Sequence, residues 1–144
     1  VLSFVAAADE AIIVTTPEPT AITDVYGIIK IIATEVDSLG LSLKLVVNRV
    51  KSVTEGKKVA ERIINISNQF LNLKVDYLGY VYDDPAVHLA VQKQKPFTVM
   101  DPKGKASACI TQIVSRLEKV EYREGSGIGS FIKKLFQNRD ESEL

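Results

Sequence analysis

The sequence predicts an α/β fold of three layers, with helices on both faces of a parallel sheet. Two observations predict it. Three short apolar runs rich in β-branched residues occupy 11–16, 42–48 and 75–81. A stretch long enough for a full helix separates each run from the next, and strands joined by helices pair in parallel through right-handed crossovers. Three strands are few for such a sheet, so the pattern implies that further strands lie outside this chain.

The elements follow in order. Ala11-Ile12-Ile13-Val14-Thr15-Thr16, closed by Pro17, reads as a buried strand covered on both faces. A helix over 20–39 follows, with Ile22, Val25, Ile28, Ile29, Ile32, Ala33 and Val36 recurring at helical spacing and Gly40 as its stop. The run from Ser42 to Asn48 is the second strand. A helix over 54–72 turns Val59, Ile63, Ile64, Ile66, Phe70 and Leu71 inward. The third strand, over 75–81, contains Gly79. Asp84-Pro85 then starts a short helix, with Asp as N-cap and Pro at the first helical position. Asp101-Pro102 repeats that signal before a helix over 103–120, whose inner face is Ala106, Ile110, Ile113, Val114 and Leu117.

The chain divides into a body over 1–122 and a tail. Arg123-Glu124-Gly125-Ser126-Gly127 is a flexible linker over 123–127, 128–139 is a helix, and 140–144 is an acidic, disordered end. The tail helix carries the sharpest pattern. Ile128, Phe131, Ile132, Leu135 and Phe136 fall at i, i+3, i+4, i+7 and i+8, and Lys133, Lys134 and Arg139 lie off that stripe. Bulky apolar residues on one side and basic residues on the other suit an interfacial membrane anchor. Each lysine near an anionic headgroup contributes about 1 kcal/mol. So short a helix is marginal in water, so one copy binds weakly and two linked copies bind better. The alternative is a terminal helix docked on its own body.

Composition excludes several classes. Eighteen basic and eighteen acidic residues cancel among 144, which argues against a specific nucleic-acid partner. The lone cysteine, Cys109, sits in a helical apolar pattern and reads as a small core residue in a reducing compartment. No apolar run reaches the length of a transmembrane helix. The start at Val1 has no basic segment before it and no methionine, which reads as a truncated or processed piece rather than a signal peptide.

Binding chemistry concentrates after the strands, where open α/β sheets take ligands. Asn48, at the end of the second strand, offers a carboxamide oxygen and nitrogen together, the acceptor and donor that a purine edge takes. Guanine sites of the Asn-Lys-x-Asp type need an acid three residues on. Lys51 stands there instead. An Asn that ends a strand is more often there for turn chemistry alone. Asp83 and Asp84 follow the third strand and lack a third metal ligand nearby, so no metal is assigned to them. His88, the only histidine, has no nucleophile pattern around it. No Gly-x-Gly-x-x-Gly and no Gly-x-x-x-x-Gly-Lys-[Ser/Thr] occurs, so no segment here cradles a triphosphate alone.

Four segments together resemble the MinD-like ATPases. They are Ala8 to Asp24 with its Thr15-Thr16-Pro17-Glu18-Pro19, Leu45-Val46-Val47-Asn48-Arg49-Val50, Leu78 to Val87, and Gly127 to Phe136. The likeness runs in order over nearly the whole chain and is nearest to the flagellar-number regulators of the FlhG or FleN type, with MinD next. It implies a partial P-loop NTPase-type fold of α/β/α layers and a parent protein that hydrolyses ATP with Mg²⁺. It implies an ATP-sandwiched homodimer that holds an anionic membrane surface through paired tails and meets a regulatory partner of the flagellar or division machinery. The protein would then be cytoplasmic and peripheral at the inner membrane face. By the same resemblance Asn48 and Arg49 with Tyr82, Asp83 and Asp84 line the base, and Glu18 and Asp24 lie on the dimer or partner surface. Tyr82 departs from the proline of many relatives. The family's P-loop, switches and magnesium ligands have no positions here, so this chain alone is expected to be inactive and to bind no cofactor tightly. The rival from another class is a non-enzymatic α/β interaction module that docks through the 22–36 helix and anchors by its tail.

Overall fold

The β-branched runs do become strands, and each takes its place through side chains that reach a helix layer. A computed structural model describes residues 2–36 and 41–120, with 132, 135 and 136. The chain order is α1 (Leu2–Ala7), β1 (Glu10–Thr15), α2 (Pro19–Glu35), β2 (Ser42–Val50), α3 (Val53–Phe70), β3 (Val75–Tyr82), α4 (Pro85–Gln92), α5 (Phe97–Met100) and α6 (Lys105–Val120). The sheet order is β1-β2-β3 and both pairings are parallel.

Two cores flank the sheet. On one face Ile22, Val25, Ile29 and Ile32 of α2 and Ala60 and Ile63 of α3 meet Ile13, Leu43, Leu45, Val47 and Val75. On the other, Ala106, Cys109 and Ile113 of α6 meet Val46, Leu78 and Val81. Cys109 is a core residue, as its pattern predicts. The buried meridian of α3 is Gly56, Ala60, Ile63 and Ser67, small at every position but Ile63. A methyl on Gly56 would lie 3.1 Å from the Tyr77 hydroxyl and 3.3 Å from Tyr80 Cβ, so the small residues let α3 approach the sheet while tyrosines fill the space.

Several expectations are corrected. β1 is not covered on both faces: Ile13 and Thr15 are buried, while Ile12 and Val14 are 46% and 60% exposed. No described helix reaches that part of the second face. Lys44, whose register partner is Ile12, is buried beside it and ion-paired to Glu10. Ile28, Phe70 and Val114 are exposed rather than inward. In α6 the buried positions beside Ile113 are Ala106, Ser107 and Cys109. α2 ends at Glu35, with Val36 extended, and the expected stop at Gly40 lies outside the described residues. Asp101-Pro102 does not open α6. The Gly104 amide donates to the Asp101 carbonyl at 3.1 Å, so Asp-Pro-Lys-Gly closes a four-residue turn with Pro second and Gly fourth. The helix starts beyond it. α1 and α5 have no counterpart in the sequence reading.

The β1–β2 pairing is regular, whereas the β2–β3 pairing contains two shifts. Leu45 pairs with Tyr77 but Val46 with Gly79, which places one extra residue in β3. Val47 pairs with Tyr80 but Val50 with Tyr82, which places one extra residue in β2. The second shift carries β2 past its predicted end, so Asn48 and Arg49 form a bulge inside the strand instead of a turn after it.

Candidate functional site

The carboxyl ends of the three strands converge on Arg49. The bulge gives Arg49 a left-handed backbone, with φ of 56°, which non-glycine residues seldom adopt. Its amide donates to Asn48 Oδ1 at 2.9 Å. Its guanidinium lies 3.6 Å from Glu18 Oε1, at the end of β1, and 3.7 Å from Asp83 Oδ1, after β3. Asp83 is tied down in turn, because its amide donates to the Val50 carbonyl at 2.9 Å. His88 Nε2 stands 3.9 Å from the same Asp83 oxygen and is exposed.

Local chemistry explains each position. Pro17 and Pro19 bracket Glu18, which is the extended N-cap residue of α2 with Pro19 at the first helical position. Lys51-Ser52 leads into α3 by a variant capping box. Ser52 Oγ accepts from the Glu55 amide at 3.1 Å, and Glu55 Oε2 accepts from the Lys51 amide at 2.7 Å. Asp84 is the N-cap of α4, its Oδ1 accepting from the Ala86 amide at 2.9 Å. Its other oxygen accepts from the Ala106 amide in the first turn of α6 at 3.2 Å. Both Asp84 oxygens therefore face helix N-termini, and the residue fixes the loop after β3.

The structure brings together Glu18, Asn48, Arg49 and Asp83, with Tyr82 adjoining. Tyr82 packs edge-on against Tyr80, ring centres 5.3 Å apart. Burial, then the hydrogen bond with Tyr82, pushes the Tyr80 phenol above its usual range. Asp24 is exposed on the second turn of α2, clear of the Arg49 contacts. The bulge and the Arg49 bridge are what sequence reasoning missed. Asn48-Arg49 has no glycine to announce a left-handed residue, and a bridge between three loops leaves no local signal.

The donor set fits one edge of a purine. Asn48 is half-buried, keeps a second lone pair on Oδ1, and has no other hydrogen bond among the described residues. It does not fit phosphates or magnesium. No glycine-rich loop is present, and the described residues hold no group of three or more His, Cys, Asp or Glu able to bind a metal.

Of the tail, Ile132, Leu135 and Phe136 are helical, with Ile132 and Phe136 exposed. The linker, Ile128, Phe131, Lys133, Lys134 and the acidic end lie outside the described residues. No helix among the described residues is long and apolar enough to cross a membrane.

No protein-family profile matches the chain. Individual proteins do. The antiactivator FleN of Pseudomonas aeruginosa is 31% identical over 118 residues, covering 82% of this chain and 41% of that protein. The flagellum site-determining protein YlxH of Helicobacter pylori is 33% identical over 141 residues, covering 94% of this chain and 47% of that protein. Among solved structures, the MinD cell division protein of Aquifex aeolicus superposes with a TM-score of 0.61 at 27% identity, over 80% of this chain and 46% of that one. The chain thus spans about half the length of the curated relatives it matches. With the parallel sheet and its flanking helices, these similarities make the chain part of a member of the MinD-like, ParA-family Walker ATPases.

Proposed function

We propose that the chain is the C-terminal part of a regulatory ATPase that controls flagellar number or placement, or division-site placement, by ATP-dependent dimerisation and membrane binding. The observation that carries this reading is the convergence of Glu18, Asn48, Arg49 and Asp83 at the carboxyl ends of the strands, in a chain whose relatives include an antiactivator of the FleN type and flagellar and septal site-determining proteins. Open α/β sheets bind ligands at that edge.

In this reading the parent protein supplies the phosphate-binding half and the magnesium ligands, and ATP with Mg²⁺ is its cofactor. When bound, ATP supplies the charged phosphates that two subunits enclose together. This chain's own residues do the rest. Asn48 meets the purine edge, Tyr82 and Asp83 wall it, Asp84 holds the loop between two helices, and Glu18 and Asp24 face the second subunit or a regulatory protein. The tail stripe of Ile128, Phe131, Ile132, Leu135 and Phe136 enters an anionic bilayer, with Lys133 and Lys134 at the headgroups. The protein is then cytoplasmic and peripheral at the inner face of the membrane.

The test uses the full-length protein. ATP with Mg²⁺ should convert monomer to dimer in size-exclusion chromatography, and the dimer should co-sediment with vesicles containing anionic lipid. Phe131→Glu or Phe136→Glu should abolish sedimentation while leaving ATP-driven dimerisation intact. Sedimentation unchanged by either substitution removes the membrane reading, and a molecular mass indifferent to ATP removes the dimerisation reading.

A further inference from the structure

Resting on the nucleotide reading above, we infer that Arg49 is a positioning residue that sets the orientation of the Asn48 carboxamide and so the affinity for the base. The two residues are the bulged pair of β2, set between Val47, which pairs with Tyr80, and Val50, which pairs with Tyr82. A bulge beside a binding edge re-aims a side chain, and here the re-aimed side chain is Asn48. What orients it is the Arg49 amide, which donates to Asn48 Oδ1 at 2.9 Å. That bond leaves one lone pair and the carboxamide NH₂ for a ligand.

The bond depends on the left-handed backbone of Arg49, at φ 56°. A residue with a Cβ disfavours this conformation, and it persists only where its surroundings hold it. The side chain provides the hold. Glu18 and Asp83, from the loops after β1 and β3, bracket one guanidinium at 3.6 and 3.7 Å. Asp83 is anchored through its amide to the Val50 carbonyl at 2.9 Å. Each ion pair alone is exposed and weak. Together they fix where the Arg49 side chain points, and with it the turn that aims the amide. The acidic partners serve the arginine, and the arginine serves the asparagine.

Two substitutions separate the backbone from the side chain. Arg49→Ala removes the ion pairs and keeps the cost of the left-handed turn. Arg49→Gly removes the ion pairs and that cost together. The measurement is calorimetric titration of the full-length protein with two probes, ATP and inorganic tripolyphosphate, each with Mg²⁺. Tripolyphosphate has no base and reports the phosphate-binding half alone. Arg49→Ala should weaken ATP about ten-fold, which is about 1.4 kcal/mol, and leave tripolyphosphate unchanged. Arg49→Gly should fall between Arg49→Ala and the unaltered protein. Equal ATP affinity in Arg49→Ala overturns the inference, as does an equal loss for both probes, or Arg49→Gly no better than Arg49→Ala. An unaltered protein that binds tripolyphosphate no less tightly than ATP shows instead that the base is not read. In that case the nucleotide reading itself fails, and this inference fails with it.

Discussion

Asp84 shows how much one side chain can do at a junction. Its two oxygens accept from the first turns of α4 and α6, at Ala86 and Ala106. A single cap is worth about 1 kcal/mol, so Asp84→Ala should cost about 2 kcal/mol in urea unfolding of the chain. Asp84→Asn keeps one acceptor and should cost less. Equal stability of Asp84→Ala and the unaltered chain would show that water caps these helices as well. Tyr77 makes the opposite case. Its hydroxyl is buried with no hydrogen-bond partner among the described residues, and burial, with Tyr80 beside it, pushes its phenol above the usual value. The neutral form is thus favoured in the fold. That stability is fully present below the unfolded phenol value of about 10 and is lost as pH rises through the higher folded value. Tyr77→Phe removes an unsatisfied polar group, so at pH 7 it should hold stability or raise it by up to about 1 kcal/mol. It should also flatten the alkaline loss in a pH series of melting temperatures. A Tyr77→Phe chain that melts lower at pH 7 would reveal a partner for the hydroxyl. Asp84 was half legible in the sequence. The Asp-Pro signal announces α4, because that cap is local. The cap on α6 joins residues far apart in the chain and exists only once α6 packs on β3.

At the scale of elements, the bulge in β3 governs how α6 sits. The extra residue falls at Leu78–Gly79. Arg116 Nη1 donates to the Leu78 carbonyl at 2.7 Å. A Cβ on Gly79 would lie 3.0 Å from Ile113 Cγ1 and 3.2 Å from Arg116 Nη1. Gly79→Val should therefore push α6 from the sheet and destabilise the chain by about 1–3 kcal/mol, the range for overpacking. Chemical unfolding checks it, and a change under about 0.5 kcal/mol, the range of ordinary surface substitutions, would mean that α6 shifts freely. The strands and long helices were legible because apolar spacing is a local property. Val46 and Val47 alternate to opposite cores, and Ile22, Val25, Ile29 and Ile32 share one helix face. The inward faces were legible only in part. The sequence pattern favours large residues, so it chose Phe70 over Ser67, yet Ser67 is buried with its hydroxyl on the Ile63 carbonyl at 2.8 Å. Asp101-Pro102 misled for a related reason: turns and helix starts share the same two residues, and only Gly104 distinguishes them.

At the scale of the whole molecule, the described residues leave the sheet open on one side. β1 is an edge strand with no outer neighbour among the described residues. On the α6 side of the sheet, the part beyond the reach of α6 exposes Ile12 and Val14 on β1. An edge of unpaired backbone groups beside an apolar face is a template for another chain. Charged residues commonly blunt such edges, but the charge nearest this face is neutralised: Lys44 is buried and pairs with Glu10. The chain by itself should therefore self-associate at tens of micromolar in light scattering. The double substitution Ile12→Lys with Val14→Lys should shift it toward monomer, by placing like charges on the open face and removing its apolar area. α2 also exposes Ile28 and Ile31, on its side away from the core, so Ile28→Lys with Ile31→Lys is the matched control for a general loss of stickiness. If the control disperses the chain as well as the β1 pair does, association runs through α2 and the open sheet is not its cause. A monomer at these concentrations in the unaltered chain would mean that the edge is already covered by a segment outside the described residues.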